Sequence, residues 1–243
     1  MAVLFISDLH LEPARPTSID DFVHFTRNEA READQLYILG DLFEAWIGDD
    51  DDDPGLKPIV AAIEALTNSG TVCLFMHGNR DFLVGETLCI DTGMRLLEEF
   101  ETIELYGEKV LLTHGDLLCS DDVRYLELRR QLRDPAWQQE FLSKTLAERR
   151  EIAAGLRQLS QTEMAAKTEE IMDVNEDTVR ETMRRFGVRT LLHGHTHRPA
   201  IHEFEFDGHD ARRIVLNDWY GPGSYVRWNE SGPIQKTLRA AKN

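Results

Sequence analysis

Five short polar motifs each follow directly on an apolar run: Asp8-Leu9-His10, Gly40-Asp41, Gly78-Asn79-Arg80-Asp81, His114-Gly115-Asp116 and Gly194-His195-Thr196-His197. Together they offer imidazole, carboxylate and amide oxygen, a donor set that suits borderline divalent ions such as Mn²⁺, Zn²⁺ or Fe²⁺. Alternate residues of an extended segment point the same way, so Asp8 and His10 share a face, as do His195 and His197. Glycine beside a ligand lets the chain turn sharply and approach a bound group closely. Any one motif is weak alone, since Asp-Leu-His commonly ends a capped strand and paired histidines occur on surfaces. Five in order, each at a strand end, point to a metal site.

Positioning such residues requires strands whose carboxyl ends gather in one place. Segments 3–7, 36–39 and 72–76 read as buried strands, with helices at 18–33 and 56–68 between them. That alternation implies βαβ crossovers and a largely parallel sheet, and ligands bind beyond the carboxyl ends of parallel strands. Strands at 102–105 and 109–113 flank the turn-like Tyr106-Gly107-Glu108. A helical insertion spans 121–186 almost without glycine, with Pro135 starting one helix and Gly187 stopping the last. Further strands follow at 188–193, 201–206, 212–216 and 225–228. The aspartates at 49–53 lie before Pro54-Gly55 and read as a solvated loop, because adjacent carboxylates repel one another and lack ligand geometry.

Composition narrows the classes. At 243 residues with 42% apolar content, the chain can bury one large core. A net charge of −17 argues against a nucleic-acid partner, because phosphate neutralisation needs a basic stripe. Acidity does not forbid a phosphate substrate, since metal ions supply local positive charge. Cys73, Cys89 and Cys119 lack metal-type spacing and read as idle thiols. No stretch approaches the roughly 18 apolar residues of a membrane span, and Met1 leads straight into a strand-like run, so a cytoplasmic location is expected.

The ordered motifs resemble the signature of the calcineurin-like metallophosphoesterases: Asp-x-His, Gly-Asp, Gly-Asn-His/Arg-Asp, a histidine, then Gly-His-x-His. The resemblance covers nearly the whole chain outside the insertion. It implies an α/β fold, a four-layer α/β/β/α sandwich forming a single domain over 1–243, with the dinuclear centre at the sheet edge. Asp8, His10 and His197 would hold one metal, Asn79, His114 and His195 the other, and Asp41 would bridge them. Many members carry histidine where Arg80 stands. Arginine cannot serve as a general acid, but its fork stabilises charge on phosphoryl oxygens. A phosphate leaving group, with a second pKa of about 6, needs little protonation, so Arg80 points toward a pyrophosphate substrate.

Residues 43–50, 77–82, 114–116 with 119–122, and 171–175 are similar to one branch, the hydrolases of UDP-2,3-diacylglucosamine in lipid A synthesis. That likeness implies two Mn²⁺ ions, water attack at the α-phosphorus, and release of UMP and 2,3-diacylglucosamine 1-phosphate. It assigns catalysis to Asp41, Asn79, Arg80 and His195, and substrate contact to Asn79, Arg80, Asp122, Ser160, Met164, Lys167 and His195. It also implies a peripheral enzyme on the cytoplasmic face of the inner membrane, without an obligate protein partner. The insertion then becomes a lid whose Leu128, Leu132, Phe141, Ile152 and Leu156 receive acyl chains. Arg149, Arg150 and Arg157 would suit an acidic lipid surface. The competing expectations are a two-metal phosphatase or phosphodiesterase for another small phosphate ester, and a metal-free interaction scaffold. A scaffold would lose cage residues, and none is missing here.

Overall fold

The computed structural model describes residues 2–166 and 171–238, with backbone only at 161 and 163–166. The first half builds β1 (Val3–Ile6), α1 (Pro16–Arg27), β2 (Gln35–Leu39), α2 (Lys57–Asn68), β3 (Val72–Met76), α3 (Glu86–Thr92) and β4 (Arg95–Leu96). These strands run parallel, and β10 (Ser224–Asn229) and β11 (Gly232–Thr237) add antiparallel to the β1 edge, giving the order β11-β10-β1-β2-β3-β4. A second sheet has the order β5-β6-β7-β9-β8, from β5 (Phe100–Leu105), β6 (Glu108–Thr113), β7 (Thr190–His193), β8 (Ala200–Phe206) and β9 (His209–Val215).

The period of two along each strand divides the core. Leu4 and Ile6 of β1, with Leu36 and Ile38 of β2, face outward against Phe22 and Phe25 of α1 and Ile59 and Ile63 of α2. Val3, Phe5, Tyr37 and Leu39 face inward, where they meet Leu112, Leu192 and Ile214 of the second sheet. Strands covered on both faces need apolar residues at every position, which explains the unbroken runs in the sequence. On the far side, α7 (Glu176–Phe186) lays Val179 and Met183 on Leu111 and Leu191. The result is the expected four-layer α/β/β/α sandwich.

Three further helices, α4 (Val123–Leu132), α5 (Pro135–Leu142) and α6 (Leu146–Ala166), project from this frame. Their starts are written locally. Asp122 accepts the Tyr125 amide, Asp134 accepts those of Ala136 and Trp137, and Thr145 and Glu148 form a reciprocal capping box. Of the segment expected as the insertion, α7 belongs to the sandwich, so the projecting part is 123–166.

Other departures have local causes. Helix α1 stops early because the Asn28 side chain takes the His24 carbonyl, and a 3₁₀ turn at Ala30–Glu32 follows. The hairpin turn is Tyr106-Gly107, both at positive φ, and pairs Leu105 with Glu108. The aspartate run is not a free solvated loop. Asp49 accepts the Gly85 and Leu88 amides at the start of α3, Asp50 pairs with Arg149, and Asp51 and Asp52 pair with Arg150. Arg157 likewise pairs with Glu12 and Glu44. The three arginines expected to offer charge to a lipid surface are therefore engaged by carboxylates of the same chain.

Candidate metal centre

Each motif sits on the loop leaving a strand: Asp8 and His10 after β1, Asp41 after β2, Asn79 after β3, His114 after β6, His195 and His197 after β7. Backbone hydrogen bonds tie these loops together, from Asp8 to Gly40, His10 to Asp41, and Gly194 to His114. Asp8, His10, Asp41, His195 and His197 all have φ between 49 and 67°. Left-handed backbone at a non-glycine residue costs about 1–3 kcal/mol and persists where the surroundings enforce it. Five of the seven expected ligands share this strain. Asp8 and His10, like His195 and His197, therefore do not share a face as alternate strand residues; they stand on tight turns past the strand ends.

The side-chain oxygens divide their work. Asp8 Oδ2 accepts Ser7 Oγ at 2.5 Å and the His195 amide at 2.9 Å, while Asp8 Oδ1 is buried without a hydrogen-bond partner and lies 3.3 Å from His197 Nε2. Asp41 Oδ1 accepts the Arg80 amide at 2.8 Å, leaving Oδ2 at 3.8 Å from both His10 Nε2 and His114 Nε2. His10 Nε2 and His197 Nε2 face each other at 3.4 Å. Asn79 Oδ1 lies 3.0 Å from His114 Nε2 and 2.9 Å from His195 Nδ1. With metal–ligand bonds near 2.1 Å, the edges of a tetrahedron or octahedron are about 3.0–3.4 Å. The donor spacings fall close to that range, and a cation would supply the partner that Asp8 Oδ1 lacks, so the residues fit a divalent pair.

Electrostatics agree. Burial alone would raise Asp8, yet His197, with His114 and His10, holds its carboxyl well below the usual carboxylate range. Burial and the neighbouring His114 push His195 down to about 4, which keeps its imidazole neutral and able to donate a lone pair to a metal.

Residues not singled out in the sequence complete the frame. Asp81 is buried and accepts the amides of Gly78, Asp41 and Leu42, joining two ligand loops. His114 Nδ1 bonds the Leu39 carbonyl at 2.8 Å, His10 Nδ1 lies 2.8 Å from Glu44, and His197 Nδ1 lies 3.6 Å from Asp218. The Leu39 carbonyl fixes the tautomer and orientation of the His114 ring, while Glu44 and Asp218 stand at ion-pair distance from the other two imidazoles. Asp81 stood inside one motif and Glu44 beside another, so position offered a signal; Asp218 had none.

Close approach explains two glycines. A Cβ at Gly194 would sit 2.2 Å from Asp8 Oδ2, and one at Gly78 would sit 2.1 Å from Asp41 Oδ1. Gly194→Ala should therefore displace Asp8 and reduce turnover by at least a hundredfold. Metal content and the melting temperature of the same preparation check whether the loss lies in the site and not in the fold.

The cleft over these donors holds about 1130 Å³ of empty space and is bordered by His10, Asp41, Asn79, Arg80, Asp122, Ser160, His195 and His197. Arg80 Nε is buried and unpartnered among the described residues. The expected substrate residues Asp122 and Ser160 are thus brought to the site. The Met164 side chain and Lys167 lie outside the described residues. Beside the cleft is a second, partly open pocket of about 830 Å³, solvent-open space included, under the projecting helices, lined by Trp46, Phe82, Leu128, Leu132, Trp137, Phe141 and Leu156 among others. Ile152 does not line it; it packs against the outer core with Leu146 and Ala153.

Comparison with known proteins gives the same picture. A profile of the calcineurin-like phosphoesterases matches residues 1–199. The chain is 49% identical to the UDP-2,3-diacylglucosamine hydrolase of Stenotrophomonas maltophilia, covering 98% of this chain and 99% of that one. It is 50% identical to the protein of the same name from Klebsiella pneumoniae, covering 93% and 95%. Vacuolar protein sorting 29 from Cryptosporidium parvum superposes with a TM-score of 0.50 over 99% of this chain and 93% of that one, and at 14% identity shares the fold alone. The sandwich, the ordered strand-end donors and these matches over nearly the full length place the chain in the calcineurin-like phosphoesterase family of hydrolases.

Proposed function

We propose that the chain hydrolyses the pyrophosphate bond of UDP-2,3-diacylglucosamine, with two Mn²⁺ ions, giving UMP and 2,3-diacylglucosamine 1-phosphate for lipid A synthesis. The observation that carries this reading is the shared wall between the donor cleft and the apolar cavity: Asn79, Arg80, Tyr125, Leu128 and Ser160 border both. A phosphate at the donors can therefore continue into acyl chains under the projecting helices. Helix α4 contains no fully buried residue, so Leu128 and Leu132 are only half-covered beside that space. Ordinary core packing would have covered them. The segment 123–166 is the lid in this account.

Asp8, His10 and His197 would hold one ion, Asn79, His114 and His195 the other, and Asp41 both. A divalent pair bound there supplies Lewis-acid charge and lowers the pKa of the attacking water. The chain's own residues do the rest. The water oxygen bonds to the α-phosphorus while the bond from that phosphorus to the bridging oxygen breaks. The bridging oxygen leaves with the sugar phosphate, whose second pKa near 6 removes the need for a general acid. Arg80 is held at the cleft by the hydrogen bond that its backbone amide donates to Asp41 Oδ1, and its guanidinium meets charge developing on the phosphoryl oxygens. His195 and Asn79 orient the α-phosphate, and Asp122 and Ser160 contact the sugar side, with Met164 and Lys167 joining them on the strength of the family likeness.

No helix among the described residues is long and apolar enough to cross a membrane. Val123, Leu142 and Leu159 of the lid expose apolar surface, which supports peripheral contact with the cytoplasmic face of the inner membrane, where a diacyl substrate resides. Hydrolysis in ¹⁸O-water tests the proposal. Label is expected in UMP; label in the sugar phosphate would reverse nucleophile and leaving group, and absence of either product would remove the proposed reaction.

A further inference from the structure

The lid reaches the candidate metal centre through arginines that land on different ligand-bearing loops. Arg129 of α4 donates to Asp116 at 2.6 Å, two residues past His114. Arg133, at the end of α4, donates to the Gly78 carbonyl at 2.8 Å, beside Asn79. Arg157 of α6 donates to Glu44 Oε1 at 2.9 Å and to Glu12 at 2.8 Å. The Glu44 contact extends furthest into the site.

Glu44 is 7% exposed, and its second oxygen lies 2.8 Å from His10 Nδ1. It belongs to neither of the converging acid–histidine groups that could hold an ion. Tyr220 stacks on the His10 ring at 5.1 Å with its hydroxyl 3.5 Å from Glu44, and the Arg15 guanidinium lies 4.7 Å from the Tyr220 ring. The imidazole thus has a carboxylate at ion-pair distance from one edge and a ring stacked on one face. A carboxylate placed this way orients the ring and favours the tautomer that leaves Nε2 free to face the ion. Arg157 fixes the rotation of that carboxylate from the lid side.

The geometry points to Glu44 as a positioning residue that orients His10 for metal binding, and to Arg157–Glu44–His10 as the link that couples seating of the lid to metal affinity. The coupling runs both ways, because linkage requires that an ion favouring the seated lid be favoured by it equally. It rests on the reading of Asp8, His10 and His197 as ligands of one ion and of 123–166 as a lid, and does not depend on which substrate is cleaved.

Arg150 supplies the contrast. It also joins α6 to the sandwich, through Asp51 and Asp52, but those aspartates touch none of the expected ligands. Mn²⁺ binding to the full chain is measured by calorimetric titration, with hydrogen exchange of the α6 amides recorded with and without Mn²⁺. The wild-type chain is expected to bind two ions, and Mn²⁺ to slow exchange in α6. Glu44→Gln and Arg157→Gln should each weaken one of the two binding events by about ten- to a hundredfold, the effect reported for supporting residues of metal ligands. The double variant should be no weaker than the worse single one, and Arg157→Lys should recover part of the loss. Arg150→Gln should bind Mn²⁺ as wild type does, and Mn²⁺ should no longer protect α6 in Glu44→Gln. Wild-type affinity in both Glu44→Gln and Arg157→Gln overturns the link. Equal losses in Arg150→Gln and Arg157→Gln also overturn it, reducing Arg157 to a lid anchor. A wild-type chain that takes up no Mn²⁺ defeats the metal reading itself, a separate and visible failure.

Discussion

Replacing Asp41 with alanine is expected to abolish turnover and to leave the chain with one divalent ion or none. Asp41 is 2% exposed, and its Oδ2 is the only carboxylate oxygen among the described residues placed 3.8 Å from imidazoles of both halves of the site. Removing it takes away the charge that opposes two cations at once and leaves each half short of a ligand. A loss of at least a thousandfold in kcat is expected from a site that works through that pair. His24, His202 and His209, which lie on α1, β8 and β9, are the controls; alanine at each should leave metal content unchanged. Elemental analysis showing two tightly held ions in Asp41→Ala, with near-normal turnover, would refute the bridge.

Leu156→Asp is expected to cut kcat/KM on the diacyl substrate by more than tenfold while sparing slow hydrolysis of a small activated phosphodiester. Leu156 lines the apolar cavity and is half-buried, so an aspartate there meets the acyl space without being forced into the core. Each buried methylene contributes about 0.8 kcal/mol, and a tenfold change corresponds to about 1.4 kcal/mol, so losing the burial of two methylenes suffices. Equal loss on both substrates together with a lowered melting temperature would return Leu156 to ordinary packing. Phe141 is a poorer site for this test, since at 3% exposure it also belongs to the outer core.

The candidate donors were legible because each is a polar residue of defined type just after an unbroken apolar run, a pattern that strand-end ligands would leave. Asp8, His10, Asp41, Asn79, His114, His195 and His197 all converge as that pattern implied. Their left-handed backbone was hidden, because φ depends on how neighbouring loops enforce it. The parallel α/β half was legible from the run lengths and the four-layer sandwich from the family resemblance, whereas α3, β4 and β11 were missed. Helix α3 has seven residues between glycine boundaries, and β4 has two. Neither is long enough to show a period.

Partners distant in sequence were the other blind spot. The aspartates at 49–53 and Arg149 and Arg150 lie about a hundred positions apart, and either group alone reads as solvated charge. Glu44 and Arg157 are separated by 113 positions. The apolar stripe of α6 also could not be assigned to one face from its spacing. Ile152 turns to the core and Leu156 to the cavity, while Ala153 touches both.

The central claim is the reaction, and the most direct measurement is product analysis after incubating the chain with Mn²⁺ and a panel of nucleotide diphosphate sugars, with and without acyl groups. The account predicts UMP and 2,3-diacylglucosamine 1-phosphate from UDP-2,3-diacylglucosamine, at a rate at least a hundredfold above that for the unacylated analogue. Equal rates across the panel, or no cleavage of the diacyl substrate beside rapid turnover of a simple phosphomonoester, would contradict it.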